Sequence, residues 1–170
     1  ADTVSIGSSN DPRQFIFCTC VSGHAMIFKK NLLDTAKNIN NASYIDWYIA
    51  YLAANRNGIT YLDQVLVDWR QHSSSLTFTY RKNESGAKAK ALKNDYQTIC
   101  ALAEIGGKHQ DFARNAKLTF EKWLASYMHL GMFFFVLRNG HITHKLHPAR
   151  FPSLKYLVGY KLKKIFRPKY

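Results

Sequence analysis

The chain has 170 residues, 46% of them apolar and 14% aromatic. That composition excludes a disordered polyelectrolyte and leaves room for one domain with a real core, or for a small domain plus an extension. The net charge of +13 is unevenly spread: no Asp or Glu follows Glu121, whereas Lys122, Arg138, Lys145, Arg150, Lys155, Lys161, Lys163, Lys164, Arg167 and Lys169 do. Such a block points to a polyanionic partner, whether anionic lipid, nucleic acid or a phosphorylated substrate. Cys18, Cys20 and Cys100 are odd in number, and the first two are too close for a disulfide framework. They read as reduced thiols of a cytosolic-side protein, with too few soft ligands for a zinc site. No signal peptide is visible, and the nearest approach to a membrane span, residues 123–137, falls short of the roughly 20 apolar residues that span a bilayer.

In chain order, residues 1–14 are polar and turn-rich and read as a linker or severed loop. Phe15-Ile16-Phe17-Cys18-Thr19-Cys20-Val21 is aromatic and β-branched, which predicts a buried strand. Ser22-Gly23 breaks it, and a glycine there allows either a plain turn or a close approach of backbone to ligand. Residues 25–30 predict a second strand and residues 31–36 a helical turn. Ser43 is placed to cap a helix in which Ile45, Ile49, Leu52 and Ala53 form an apolar stripe, with Gly58 just past its end. Residues 59–69 alternate imperfectly as a third strand, and residues 73–86 have the composition of a loop. From Ala87 the pattern is helical. Leu92, Tyr96, Ile99, Cys100 and Ala103 make a stripe that Gly106-Gly107 ends. A long helix follows over residues 110–137, ended by Asn139-Gly140. His141, His144 and His147 lie in a connector before Pro148, with no nearby carboxylate to complete a metal site. A last helix is predicted over residues 152–166, with Leu154, Leu157, Val158, Leu162, Ile165 and Phe166 on one face.

Four pieces stand in a telling order: Ser22-Gly23-His24-Ala25-Met26-Ile27-Phe28-Lys29-Lys30, then Asp46-Trp47-Tyr48, then Gly58 with Tyr61-Leu62-Asp63, then Trp69-Arg70-Gln71-His72. Together, over about residues 15–76, they resemble the C-terminal half of the catalytic domain of family 2 glycosyltransferases, the inverting enzymes of the GT-A fold. The resemblance implies a helix-rich α/β fold: a partial GT-A domain of two or three short strands, then a mainly helical C-terminal region. It divides the chain into a linker (1–14), the acceptor and base side of the catalytic domain (15–78) and a basic helical extension (79–170).

The same resemblance implies transfer of a sugar from a nucleotide-sugar donor to a glycan or lipid-linked acceptor with inversion, in the synthesis of bacterial surface polysaccharide such as lipopolysaccharide or capsule. A sugar hydroxyl is a poor nucleophile at neutral pH, so a positioned carboxylate must take its proton. The resemblance gives that role to Asp46, which by itself reads first as a cap or support for the first turn of its helix. It makes Ser22, Gly23, His24, Trp47 and Arg70 substrate contacts. Arg70 also suits a surface carboxylate, and Trp47 and Tyr48 at helical spacing also suit a core, Tyr48 more so. Asp63 reads as structural. His72 stays open between a ligand of the divalent metal (Mg or Mn), a contact to the leaving diphosphate and a packed histidine.

The family's N-terminal half carries an Asp-x-Asp motif for metal and donor, and no Asp-x-Asp occurs in these residues. The main metal ligands and the donor site are therefore expected upstream, and the chain alone is not expected to turn over. The basic extension is expected to lie on an anionic membrane surface, cytoplasmic and peripheral on the inner face of the bacterial cell membrane. The contrasting class is a non-catalytic basic helical module that binds nucleic acid or anionic membrane. Nucleic acid is disfavoured, because no recognised motif is present and the C-terminal aromatics sit among aliphatics.

Overall fold

The computed structural model describes residues 9–18, 21–64, 68, 84–145 and 152–166. Seven α-helices lie among them: α1 (Lys30–Asp34), α2 (Ile45–Arg56), α3 (Glu84–Ala103), α4 (Gln110–Leu124), α5 (Leu130–Thr143), α6 (Pro152–Leu157) and α7 (Tyr160–Phe166). Short 3₁₀ turns occupy Pro12–Phe15, Gly23–Ala25 and Ile39–Asn41. No strand occurs among the described residues, so the α/β expectation is corrected to an all-α architecture. Their only bridges between extended residues are Ser9 with Ile59 and Met128 with Val158.

Each predicted strand fails for a local reason. Asp11 and Pro12 start a 3₁₀ turn instead. The Asp11 carboxylate accepts from the Arg13 backbone N–H at 3.0 Å and pairs with its guanidinium at 2.8 Å, and Pro12 needs no partner for the N–H it lacks. Phe15, the last residue of that turn, and Ile16 are then buried without a strand, and residues 19–20 of the predicted run lie outside the described residues. Past the Gly23–Ala25 turn the backbone at Met26 is extended, but Ile27 points to solvent at 94% exposure, with no ladder beside it. Ile59 pairs with Ser9 through two backbone bonds of 2.8 and 2.6 Å, and the pairing goes no further. The rest of that predicted strand, residues 65–67 and 69, lies outside the described residues.

The core is one cluster running from Phe15 to Tyr156, across the boundary drawn at residues 78–79. α2 lies inside it. Trp47, Tyr48, Ala50, Tyr51, Leu52 and Ala54 are buried, whereas Ile45, placed by periodicity in the buried stripe, is exposed. α3 and α4 pack with Tyr96 stacked on Phe120, ring centroids 6.5 Å apart, and Phe112 meets Phe135 of α5 at 5.3 Å. Phe17 stands between Phe120 at 6.1 Å, Phe135 at 6.0 Å and Tyr156 at 6.2 Å, which joins the N-terminal segment to the last helices. Asp95 on α3 is half-buried, and desolvation pushes its carboxyl up to about 6 against the pull of Lys155. A raised acid favours the protonated form in the folded state. Its contribution therefore turns unfavourable as pH climbs from the ordinary carboxylate range through about 6.

Two predicted long helices are broken, and the breaks support each other. The helix expected over residues 110–137 stops at Leu124 and restarts at Leu130, and the one expected over 152–166 stops at Leu157 and restarts at Tyr160. Across the gaps His129 N–H donates to the Leu157 carbonyl (3.2 Å), Gly159 N–H to Tyr127 (2.8 Å) and Lys161 N–H to Ser126 (3.1 Å). The Trp123 ring N–H donates to the Val158 carbonyl at 3.0 Å. Groups that a continuous helix would pair internally are thus paired between segments. At the other end α5 runs past the Asn139-Gly140 signal to Thr143, so His141 is helical rather than part of a connector. Gly140 has a packing role there, since a Cβ on it would lie 3.5 Å from Pro152 of α6.

The crossing leaves no space at Gly159: an added Cβ would stand 2.2 Å from the Ser126 carbonyl oxygen. Gly159→Ala is expected to lower unfolding stability by about 2 kcal/mol through forced backbone displacement. Urea denaturation measures this, and an unchanged midpoint would refute the close crossing.

Candidate active site

The site begins at the N-terminus of α2. Its capping residue is Tyr44, with extended backbone and no side-chain cap. Ser43, expected to cap the helix, instead donates its hydroxyl to Gln97 Oε1 of α3 at 2.5 Å. The Tyr44 N–H donates to the buried Thr98 hydroxyl at 3.2 Å, and Thr98 in turn donates to the Asn94 carbonyl at 3.0 Å. Two α3 side chains therefore fix where α2 starts. At the other end Gly58 has φ +89° and its N–H reaches the Ala53 carbonyl at 2.9 Å, the left-handed stop expected of it.

Asp46 is half-buried in the first turn of α2, and its Oδ1 accepts from the Trp47 N–H at 2.8 Å. That bond orients the carboxylate at the end of the helix where unpaired N–H groups gather. Gly23 lies directly against it: a Cβ on Gly23 would be 3.5 Å from the Asp46 Cβ. Two pieces of sequence 23 residues apart thus meet. Beside Gly23 the Ser22 hydroxyl and His24 Nδ1 are hydrogen-bonded at 2.9 Å, both side chains exposed. Together the turn and the helix start form an open cleft of about 500 Å³, with Gly23, Met26 and Phe28 on one wall and Tyr44, Asp46 and Ile49 on the other. A single carboxylate in a mainly apolar cleft, open enough for a hydroxyl-bearing ligand, can serve as a proton acceptor.

Trp47 does not fit the substrate-contact role expected of it. Its ring is buried, 3% exposed, and its N–H donates to the Phe15 carbonyl in the core. No ring face is left for a sugar to stack on, so its role is corrected to packing. Tyr48, at 2% exposed, is likewise core. The aromatics at the cleft are Tyr44 and Phe28. Sequence reasoning passed over both. Tyr44 could have been found from its place two residues before Asp46, ahead of the helix; Phe28 stands in the Ser22 to Lys30 piece, where no residue type sets it apart as a contact.

Arg70 and His72 lie outside the described residues. Asp63, read as structural, accepts from the Tyr61 hydroxyl at 3.3 Å. Among the described residues no group of three His, Cys, Asp or Glu side chains could hold a metal ion. Among the described residues that line the cleft Asp46 is the only carboxylate, so those residues do not fit a divalent cation site. No family model, curated protein or solved structure matches this chain.

If the Trp47 ring serves the core, Trp47→Phe leaves the Phe15 carbonyl buried and unpaired, at a cost of about 1–3 kcal/mol. Chemical denaturation should show that loss. A variant as stable as the parent would return the ring to the surface.

Proposed function

We propose that the chain is the acceptor side of an inverting glycosyltransferase of the family 2 type, with Asp46 as general base. The observation that carries this reading is the approach of the Ser22-Gly23 turn to Asp46, within 3.5 Å of the glycine's missing Cβ, around one cleft. Order and spacing raised the idea, and the folded chain gathers two of the pieces at one place.

On this reading an acceptor hydroxyl enters the cleft and hydrogen-bonds to the Asp46 carboxylate. As its oxygen attacks the anomeric carbon, the proton passes to Asp46 and the bond to the nucleoside diphosphate breaks on the opposite side, which inverts the centre. The Trp47 backbone N–H donates to one carboxylate oxygen and so orients the base. Tyr44 and Phe28 supply apolar walls against which sugar rings pack. The donor is a nucleotide sugar. With no Asp-x-Asp in these residues, the groups that hold its diphosphate and a divalent metal (Mg or Mn) belong to other parts of the protein, and Arg70 and His72 are assigned to the same task. The acceptor is a glycan or a lipid-linked glycan of bacterial surface polysaccharide synthesis.

No helix among the described residues is long and apolar enough to cross a membrane. The proposed location is peripheral, on the inner face of the cell membrane, where the ten basic residues after Glu121 meet anionic lipid.

In the protein that carries this chain, Asp46→Asn is expected to keep the circular dichroism spectrum and donor affinity while lowering kcat by about 10² or more. Steady-state kinetics with donor and acceptor decide it. Turnover near the parent value in a folded variant would reassign Asp46 to supporting its helix.

A further inference from the structure

α5 departs from the usual pattern of a surface helix. Met132, Phe135, Val136 and Thr143 face the core, as one side of a packed helix should. Its outer side is apolar too. Leu130, Phe134 and Leu137 recur at i, i+4 and i+7, share one face, and are 57%, 57% and 58% exposed. Tyr127 and Met128, 55% and 62% exposed, extend the surface to the preceding linker. A run of large exposed apolar side chains on one element marks an interaction surface, whereas isolated ones do not.

The charge around the stripe is of one sign. On the same side of α5 exposed Arg138 follows Leu137, and exposed Lys145 comes just past the end of the helix. Lys161 of α7 holds its ammonium 5.8 Å from the centre of the Tyr127 ring, at the other end of the stripe. No acidic residue occurs anywhere after Glu121. An apolar strip bracketed by cations and free of acids is complementary to a bilayer surface that offers hydrocarbon below and anionic headgroups around. It does not suit a second copy of itself, which would bring like charges together, and a nucleic acid would leave the apolar strip unused.

The tail is not the better candidate. The face predicted over residues 152–166 is interrupted at Val158 and Gly159; Leu157, Val158 and Leu162 are half-buried, and Leu154 and Ile165 are exposed separately on two short helices.

We infer that the outer stripe of α5, Leu130, Phe134 and Leu137, is the element that enters the headgroup layer of an anionic membrane, with the surrounding basic residues held over it. The inference rests on the peripheral-membrane part of the reading above, not on its chemistry. It places α5, about 21 Å long at 1.5 Å per residue, flat on the bilayer.

Vesicle flotation tests it. The protein should float with phosphatidylcholine–phosphatidylglycerol vesicles and not with phosphatidylcholine alone, and binding should weaken without vanishing as salt rises. Phe134→Asp should lower the partition coefficient about tenfold or more at every salt concentration, since it removes an apolar side chain's transfer. Leu137→Ser should lower it in the same direction, while Leu33→Asp on α1 should stay within about twofold of the parent. Circular dichroism checks that each variant is folded, which the exposure of these positions favours. If the parent floats and the α5 variants float equally well, the α5 inference is wrong and the peripheral reading stands. If the parent does not float at low salt, both are wrong. If the α5 variants change only self-association in sedimentation, the stripe belongs to a second copy and the membrane assignment is overturned.

Discussion

Trp47 donates its ring N–H to the carbonyl of Phe15 inside the core, and most of the arrangement depends on that contact. A buried carbonyl at the end of a 3₁₀ turn needs a donor, and a buried indole N–H needs an acceptor. By meeting each other they fix the N-terminal segment against α2. Two residues on, Phe17 packs among Phe120, Phe135 and Tyr156, so the same short segment holds the last helices as well. The segment from Phe15 to Phe17 is thus a wedge between α2 and the C-terminal bundle.

The cleft follows from this. The wedge holds one side of α2, and Thr98 and Gln97 of α3 hold its start through the Tyr44 N–H and the Ser43 hydroxyl. With both fixed, Asp46 has a defined position, and the Ser22-Gly23 turn lies against it. Glycine at position 23 leaves the cleft open, since a side chain there would project toward Asp46. The aromatic side chain beside the catalytic candidate is then a positioning element, working through the backbone from within the core. At the opposite end of the chain the same economy of backbone bonds breaks two helices and joins them through Gly159.

What the residues reveal in advance divides along physical lines. α3 and the first part of α4 were legible because each has one wet face, and a helix with one wet face keeps its period. The C-terminal limit of α2 was legible too, from Asn57-Gly58. Its buried set was not, because Trp47, Tyr48, Ala50, Tyr51 and Leu52 pack on several sides at once and no single stripe survives. The strands were misread because an aromatic and β-branched run such as residues 15–21 specifies burial without specifying a partner strand, and Phe15 and Ile16 satisfy burial at the end of a 3₁₀ turn. Asp11-Pro12 carried the contrary signal. Helix breaks at residues 125–129 and 158–159 could not be read locally, since each break depends on hydrogen-bond partners supplied by the other. In the site, the order of the four pieces marked Asp46 and Gly23 as candidates, but nothing in their spacing predicts the contact between them. Trp47 misled for the opposite reason: a ring beside a catalytic candidate in sequence points away from it on a helix.

The central claim is that the turn at Gly23 and the first turn of α2 make one site. Replacing both residues by cysteine, as Gly23→Cys with Asp46→Cys in a background where Cys18, Cys20 and Cys100 are serine, tests it directly. The Cβ separation of 3.5 Å at these positions lies at the short end of the span disulfides adopt, about 3.5–4.5 Å. Mild oxidation should therefore close the bridge quantitatively, seen as loss of titratable thiol and faster migration on a non-reducing gel, both reversed by reductant. Two thiols that stay titratable in the folded, oxidised protein would mean that the turn and the helix are apart, and that the cleft does not exist.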